Sequence, residues 1–409
     1  MSGFNDSDFE RLLEIIDRTE NERKNGDSAD AACNFDGAYS ESYERAVSGL
    51  IFAGEEPELI YGNVYIENGL IKEIERLHPD QVKSKNWIVP RFVNAHTHIG
   101  DTLLKDPPLG SAVSPYAYAR DLDSLVKPPN GLKHKFLSEL SFDDAVSSME
   151  SAIWEMYQNG ICVFADFREG GLKGAAALSE ASKNAARDIH PILFGRPASQ
   201  SIDFLDELRE LLEITDGIGV SGANDLDDYS LSKIASKTQS RRKKLAVHAG
   251  EKDRSDIDAA LSLSPDLLIH MTQASKSDLQ RAADADIPIA VCIRSNLTTG
   301  VGLPPVLDML ESGIRVCIGT DNVMLNAPDM FEELHFLSKI YGISDAVLFK
   351  AATSAGADAL GCRFTGSIDV GMKADMMVLN SKSLNLKNIK DPLAGFVRRA
   401  RVDDILGIV

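Results

Sequence analysis

The chain has 409 residues, of which 44% are hydrophobic and 26% charged, with a formal net charge of −19. That length is enough for a full buried core and more than one structural unit, and the composition is that of a soluble globular protein. The acidity argues against a phosphate-rich partner, the five cysteines form no Cys-x-x-Cys pair, and neither a signal pattern nor a bilayer-length apolar run occurs; we expect a cytoplasmic protein that binds no nucleic acid and no membrane. In chain order, residues 1–45 read as an N-terminal arm. Ser7-Asp8-Phe9-Glu10 fits a capping box, and Phe9, Leu12, Leu13 and Ile16 share one helical face, an apolar stripe that suits a homo-oligomer contact. The stretch from Asn21 to Ser42 reads as a linker.

From Ala46 the pattern turns to short strands: Leu50-Ile51-Phe52-Ala53, Leu59-Ile60-Tyr61, Asn63-Val64-Tyr65-Ile66 and Leu70-Ile71-Lys72-Glu73-Ile74, with Glu67-Asn68-Gly69 as a hairpin turn. The C-terminal end is similar in style. Gly366-Ser367-Ile368 and 374–380 read as strands around a turn at Val370-Gly371-Met372-Lys373, and 397–402 as one more. We therefore expect 46–90 and 364–409 to build one small β-sandwich domain from both chain ends. Between them, 91–363 alternates strand and helix. Strands are expected at 88–95, 161–166, 190–195, 217–221, 244–248, 267–270, 287–293 and 315–320, with helices at 143–158, 172–187, 202–213, 275–285, 304–312 and 329–341. Eight strand–helix steps predict an α/β fold, a (β/α)8 TIM-type barrel. A doubly wound sheet would keep the candidate site residues too far apart to meet.

Those residues stand at strand ends. In His96-Thr97-His98, alternation along a strand turns both imidazoles to one face. His248 ends Lys244-Leu245-Ala246-Val247, His270 ends Leu267-Leu268-Ile269, and Asp321 ends Arg315-Val316-Cys317-Ile318-Gly319-Thr320. A lone His at a strand end is commonly structural; several at the C-terminal ends of successive barrel strands point to one site. Three imidazoles and a carboxylate suit Zn²⁺ or Fe²⁺ with a position open to water, so His96, His98, His248 and Asp321 are the expected ligands of one divalent metal. Water on such an ion deprotonates near neutral pH. Glu251 follows His248 by three residues across Gly250, placed to return over the site and move a proton. His270, at the next strand end, is placed to ligate a second metal or to orient the attacking water. A second metal would want a further anionic ligand or a modified lysine, and Gly217-Ile218-Gly219-Val220-Ser221 has no lysine. The same segment continues to Gly222 as Gly-x-Gly-x-x-Gly, but within a strand and without a following helix start, the wrong setting for a dinucleotide. No His-Glu-x-x-His, Pro-Cys-x-x-Cys, P-loop or Gly-x-Ser-x-Gly occurs.

From Ala46 onward the chain resembles the amidohydrolase superfamily, in the branch of cytosine-deaminase-related hydrolases. The resemblance rests on 90–98, on His248-Ala249-Gly250-Glu251, on His270, on Gly319-Thr320-Asp321-Asn322 and on the tail segment 366–375. It implies a mononuclear site with His96, His98, His248 and Asp321 as ligands, His270 orienting water and Glu251 transferring protons. The chain departs from the branch in its arm and in Cys292-Ile293-Arg294-Ser295-Asn296, where a Pro and a small polar residue are usual. Arg294, with Arg168 and Arg196 past strands two and three, is a candidate substrate contact, and Tyr116, Tyr118 and Arg120 are candidates for a lid. The expected reaction is hydrolytic deamination of a heterocyclic amine of nucleobase, nucleoside or pterin type. Glu251 protonates the ring nitrogen, His270 holds the water and the developing oxyanion, and Asp321 passes the water's proton to ammonia. The alternatives are opening of a cyclic amide, removal of another leaving group such as halide, and a non-catalytic barrel that binds a metabolite.

Overall fold

A computed structural model describes residues 44–107, 112–114, 117–118, 122–127, 130–198 and 204–409. The arm helix, its oligomer contact, Tyr116, Arg120 and the side chain of Tyr118 lie outside what is described.

Two sheets organise the chain. The domain at the chain ends is built as one six-stranded sheet, in the order Ile405–Ile408, Met376–Leu379, Trp87–Pro90, Arg45–Ala53, Glu58–Glu67, Leu70–Arg76. The expected strands 59–61 and 63–66 are one strand, because every residue from Glu58 to Glu67 except Gly62 keeps a side chain that the pleat accommodates, and Gly62 sits where a Cβ would meet the Glu75 carbonyl oxygen at 1.9 Å. The turn at Asn68 and Gly69 takes positive φ at both residues (52° and 69°), as a tight hairpin requires. Alternation divides the burial: Ile51, Ile88 and Met376 enter a local core with Ile60, Val64 and Ile71, while Leu50, Phe52, Trp87 and Met377 join the barrel's core.

Two expectations at the C-terminal end are corrected. Residues 397–402 are not a strand: Asp391 caps a helix over Pro392–Arg398, accepting from the amides of Leu393 and Ala394, and the buried face Phe396 and Val397 then packs on the aromatic core. The strand follows later, at Ile405–Ile408. Gly366-Ser367-Ile368 forms no ladder; Ile368 instead accepts one hydrogen bond from the Gly54 amide (3.2 Å) and buries its side chain in the local core.

The second sheet is the barrel. Its strands run one to eight as Phe92–His98, Ile161–Arg168, His190–Gly195, Gly217–Val220, Lys244–Ala249, Leu267–His270, Ile289–Val291 and Val316–Ile318, each parallel to the next. Strand eight continues as Asp321–Asn322, which pairs in parallel with Thr97 and His98 of strand one and closes the ring. Gly319 lies at that closure, where a Cβ would stand 2.6 Å from the His96 Cβ and 2.9 Å from its carbonyl oxygen. The run expected as one strand over 88–95 is in fact two. Arg91, fully buried, turns the chain from the outer sheet into the barrel, donating from Nη2 to the Ile161 carbonyl at 2.6 Å. The strand expected over 287–293 stops at Val291, and Ile293–Thr299 forms a short helix.

Candidate active site and metal centre

The C-terminal edge of the barrel gathers the candidate residues from strands one, five, six and eight. His96 and His98 are buried with Thr97 turned away, its hydroxyl donating to the Ala165 carbonyl at 2.8 Å. His98 Nδ1 lies 2.9 Å from the Phe167 carbonyl and 3.0 Å from Glu169 Oε1. His248 Nδ1 lies 2.8 Å from the Val220 carbonyl. Facing only oxygen acceptors, each Nδ1 carries the proton, which leaves both Nε2 lone pairs turned into the site. His248 Nε2 is 3.2 Å from His96 Nε2, and Asp321 Oδ1 is 3.3 Å from His96 Nε2 and 3.7 Å from His98 Nε2. Two ligand nitrogens about 2.0–2.1 Å from a tetrahedral zinc stand roughly 3.3 Å apart. The donor set therefore fits a divalent metal, and the spacing of bare nitrogens at van der Waals distance is otherwise repulsive. Phe167 stands edge-on to His96 and His248, with centroids 4.4 and 5.2 Å away, and fixes their ring planes.

Electrostatics favours the same state. Burial lowers His96, brings His98 to about 3 and holds His248 well below the ordinary imidazole range, so all three are neutral. Burial pushes the Asp321 carboxyl up, but the surrounding imidazoles outweigh it and hold it well below its usual value. Ser295 donates to Asp321 Oδ2 at 2.5 Å and Asn322 Nδ2 to Oδ1 at 2.8 Å. His270 and Asp321 both take left-handed backbone, φ 72° and 62°. Neither is a residue that adopts it freely, and strain of this kind gathers where side chains must be aimed.

His270 Nδ1 faces Asn296 Oδ1 at 3.1 Å, and Asn296 Nδ2 donates to Thr272 Oγ1 at 2.8 Å. His270 Nε2 then looks toward Glu251 Oε1 (3.7 Å) and Asp321 Oδ2 (4.0 Å). Gly250, at φ 61°, turns the chain after strand five and brings Glu251 back to the cavity wall. Burial raises the Glu251 carboxyl pKa, partly offset by His270. The cavity that opens on these residues is also lined by Lys133, Glu169, Arg196, Asp225 and Asp256.

The three candidate arginines part company. Arg196 lines the cavity, with Nη2 3.3 Å from Glu169 Oε1 and a buried Nε that meets no acceptor among the described residues. Arg168 does not reach it: the guanidinium lies against Gly100, with Nη1 3.3 Å from Asp166 Oδ2 and Nη2 2.6 Å from Glu169 Oε2. Arg294 is also withdrawn. It lies in the helix Ile293–Thr299 and binds Glu333 Oε1 (2.7 Å), Glu332 Oε2 (2.5 Å) and the carbonyls of Ala327 and Asp329, so its fork is saturated by structure. Reading the segment as a strand end had aimed it at the cavity.

Four residues of the site escape sequence reading: Lys133, Glu169, Ser295 and Asn296. Glu169 offered one signal, an acid closing the apolar run of strand two. It is buried, and although burial raises its carboxyl pKa, Lys133, His98 and Arg168 together hold it well below the usual range.

With this geometry in view, comparison with known proteins gives the class. Residues 87–405 match the model of the amidohydrolase family, and the chain belongs to that family. It is therefore a metal-dependent hydrolase. An uncharacterized protein of Methanocaldococcus jannaschii is 33% identical over 375 residues, covering 86% of this chain and 94% of its own. The 5'-deoxyadenosine deaminase of Methanosarcina barkeri is 28% identical over 400 residues, covering 86% and 87%. Among solved structures, an adenosine deaminase from Xanthomonas campestris with bound zinc superposes with TM-score 0.73 at 18% identity, over 89% of this chain and 91% of that one. Atrazine chlorohydrolase of Arthrobacter aurescens, complexed with zinc, gives TM-score 0.72 at 17% identity, over 89% and 93%. Among the described residues no helix is long and apolar enough to cross a membrane.

Proposed function

We propose that this chain is a mononuclear deaminase, holding one Zn²⁺ or Fe²⁺ through His96, His98, His248 and Asp321 and releasing ammonia from a heterocyclic amine of nucleobase, nucleoside or pterin type. The observation that carries the reading is that ligand atoms of His96, His98 and His248 lie within 4.8 Å of one another, as do those of His96, His270 and Asp321, with Asp321 Oδ1 3.3 Å from His96 Nε2 and 3.7 Å from His98 Nε2. A divalent ion bound there makes water a nucleophile near neutral pH. The activity named for the Methanosarcina barkeri relative supports an amine on a purine-like ring.

The chain's own residues supply the rest. Glu251, with its pKa raised by burial, remains able to give a proton to the ring nitrogen beside the reacting carbon. His270, held by Asn296, turns Nε2 toward the attacking water and orients it by hydrogen bonding. Asp321 receives the water's proton and passes it toward the departing ammonia, while Ser295 and Asn322 keep its oxygens in place. Arg196, whose side chain lines the cavity, is the proposed substrate contact.

The test is an ammonia-release assay of the zinc- or iron-loaded protein over a panel of heterocyclic amines. Ammonia appearing one-for-one with substrate loss supports deamination. Halide or a ring-opened product without ammonia refutes deamination but leaves the centre standing. Protein that neither binds metal nor turns over any of the panel fits the metabolite-binding barrel instead.

A further inference from the structure

We propose that Lys133 is a positioning residue for the metal centre: its ammonium reaches in from outside the barrel and joins Glu169 and Asn322, the side chains that hold His98 and Asp321. The inference rests on the metal-centre reading above and adds a determinant of metal affinity to it.

Lys133 belongs to the helix Leu132–Glu139, which lies between barrel strands one and two in the chain. It is only 2% exposed, whereas the other residues of the helix are half-buried or exposed. Its Nζ stands 2.6 Å from Glu169 Oε1 and 2.8 Å from Asn322 Oδ1, with Asp101 Oδ2 at 3.9 Å. The two near partners lie on opposite sides of strand one. Glu169 follows strand two and meets His98 Nδ1 at 3.0 Å; Asn322 ends strand eight and donates from Nδ2 to Asp321 Oδ1 at 2.8 Å. One ammonium thus links the supports of two ligands from two different strands.

The chemistry of lysine matters to both arms. An ammonium has donors only, so its contact commits Asn322 to present Oδ1 to Lys133 and Nδ2 to Asp321. Glu169 Oε1, bound by Lys133, stands 3.0 Å from His98 Nδ1 beside the Phe167 carbonyl at 2.9 Å, and its charge adds to that carbonyl in favouring the tautomer that leaves Nε2 bare. A buried ammonium carries a large desolvation cost, and an apolar residue would dock the helix at less expense. Its retention is explained by what it orients. Loss of the lysine leaves Glu169 still paired with Arg168 (2.6 Å) and Arg196 (3.3 Å), so the fold has other support for that carboxylate.

The experiment is zinc affinity of metal-free wild type, Lys133→Met, Asn322→Ala and the double variant, measured by competition with a chromophoric chelator. Circular dichroism and the thermal midpoint of each metal-free protein accompany it. Each single variant is expected to bind zinc about ten- to hundredfold more weakly with an unchanged metal-free fold. The double variant is expected to lose less than the product of the two, because the residues act in one chain of contacts. Wild-type affinity in Lys133→Met, or strictly multiplicative losses, overturns the proposal; a raised KM at wild-type affinity does so too, by making Lys133 a substrate contact. If Lys133→Met does not fold, Asn322→Ala alone decides: unchanged affinity there overturns the link. Wild-type protein that binds no zinc defeats the metal-centre reading itself, a distinct outcome.

Discussion

Two carboxylates with opposite tendencies share the proposed site. Burial pushes both carboxyls up, but contact with His96 and the neighbouring imidazoles holds Asp321 well below its usual value, whereas for Glu251 burial prevails over the offset from His270 and its pKa is raised. Environments that push two acids apart suit them to different work, which is the basis for the proposed division: Asp321 as ligand and proton acceptor, Glu251 as proton donor. Glu251→Gln preserves size and polarity but cannot transfer the proton. It is expected to keep a full equivalent of metal and lose about 10²–10⁴ in turnover, measured as ammonia release. Near-normal turnover in that variant removes Glu251 from the mechanism. These residues were readable in sequence because each is fixed by the end of a strand, and strand ends are marked by apolar runs and glycine. Lys133, Ser295 and Asn296 were not, since their contacts depend on where a helix docks, which one local pattern does not encode.

At the scale of elements, the short helix Ile293–Thr299 does more than connect. From it Ser295 holds Asp321, Asn296 holds His270, and Arg294 ties the helix to the next one through Glu332 and Glu333. Sequence pattern extended strand seven through Ile293, and so gave Arg294 a place facing substrate that a helix denies it. Arg294→Met is expected to cost about 3–5 kcal/mol of stability, because it leaves Glu333 buried without its partner, and denaturant unfolding measures it. A changed KM at unchanged stability would return Arg294 to the substrate. The other decisive element is the closure between strands eight and one. At Gly319 an added methyl has no room beside the His96 backbone. Gly319→Ala is therefore expected to push strand eight away and weaken metal binding along with stability; wild-type zinc affinity in that variant would mean that the closure is more compliant than its spacing implies.

At the scale of the whole molecule, the described residues form one barrel keyed to a sheet that joins strands from before and after it in the chain. Phe52 from that sheet meets Phe349 and Phe396 with ring centroids 6.1 and 6.0 Å apart, and Phe396 carries the cluster on to Phe92 (5.6 Å) and Phe331 (5.8 Å). The alternation of Leu50, Ile51 and Phe52 already divides this strand between two cores, which is why the return of the chain's C-terminal end to its N-terminal strands was legible. The break at Arg91 was not, because a fully buried arginine interrupts an apolar run without changing its periodicity. Anomalous diffraction from crystals of zinc-loaded protein tests the proposed centre most directly. One peak is predicted per chain, about 2.0–2.2 Å from the Nε2 atoms of His96, His98 and His248 and from a carboxylate oxygen of Asp321. A peak elsewhere, or one that leaves Asp321 out of bonding reach, would contradict it.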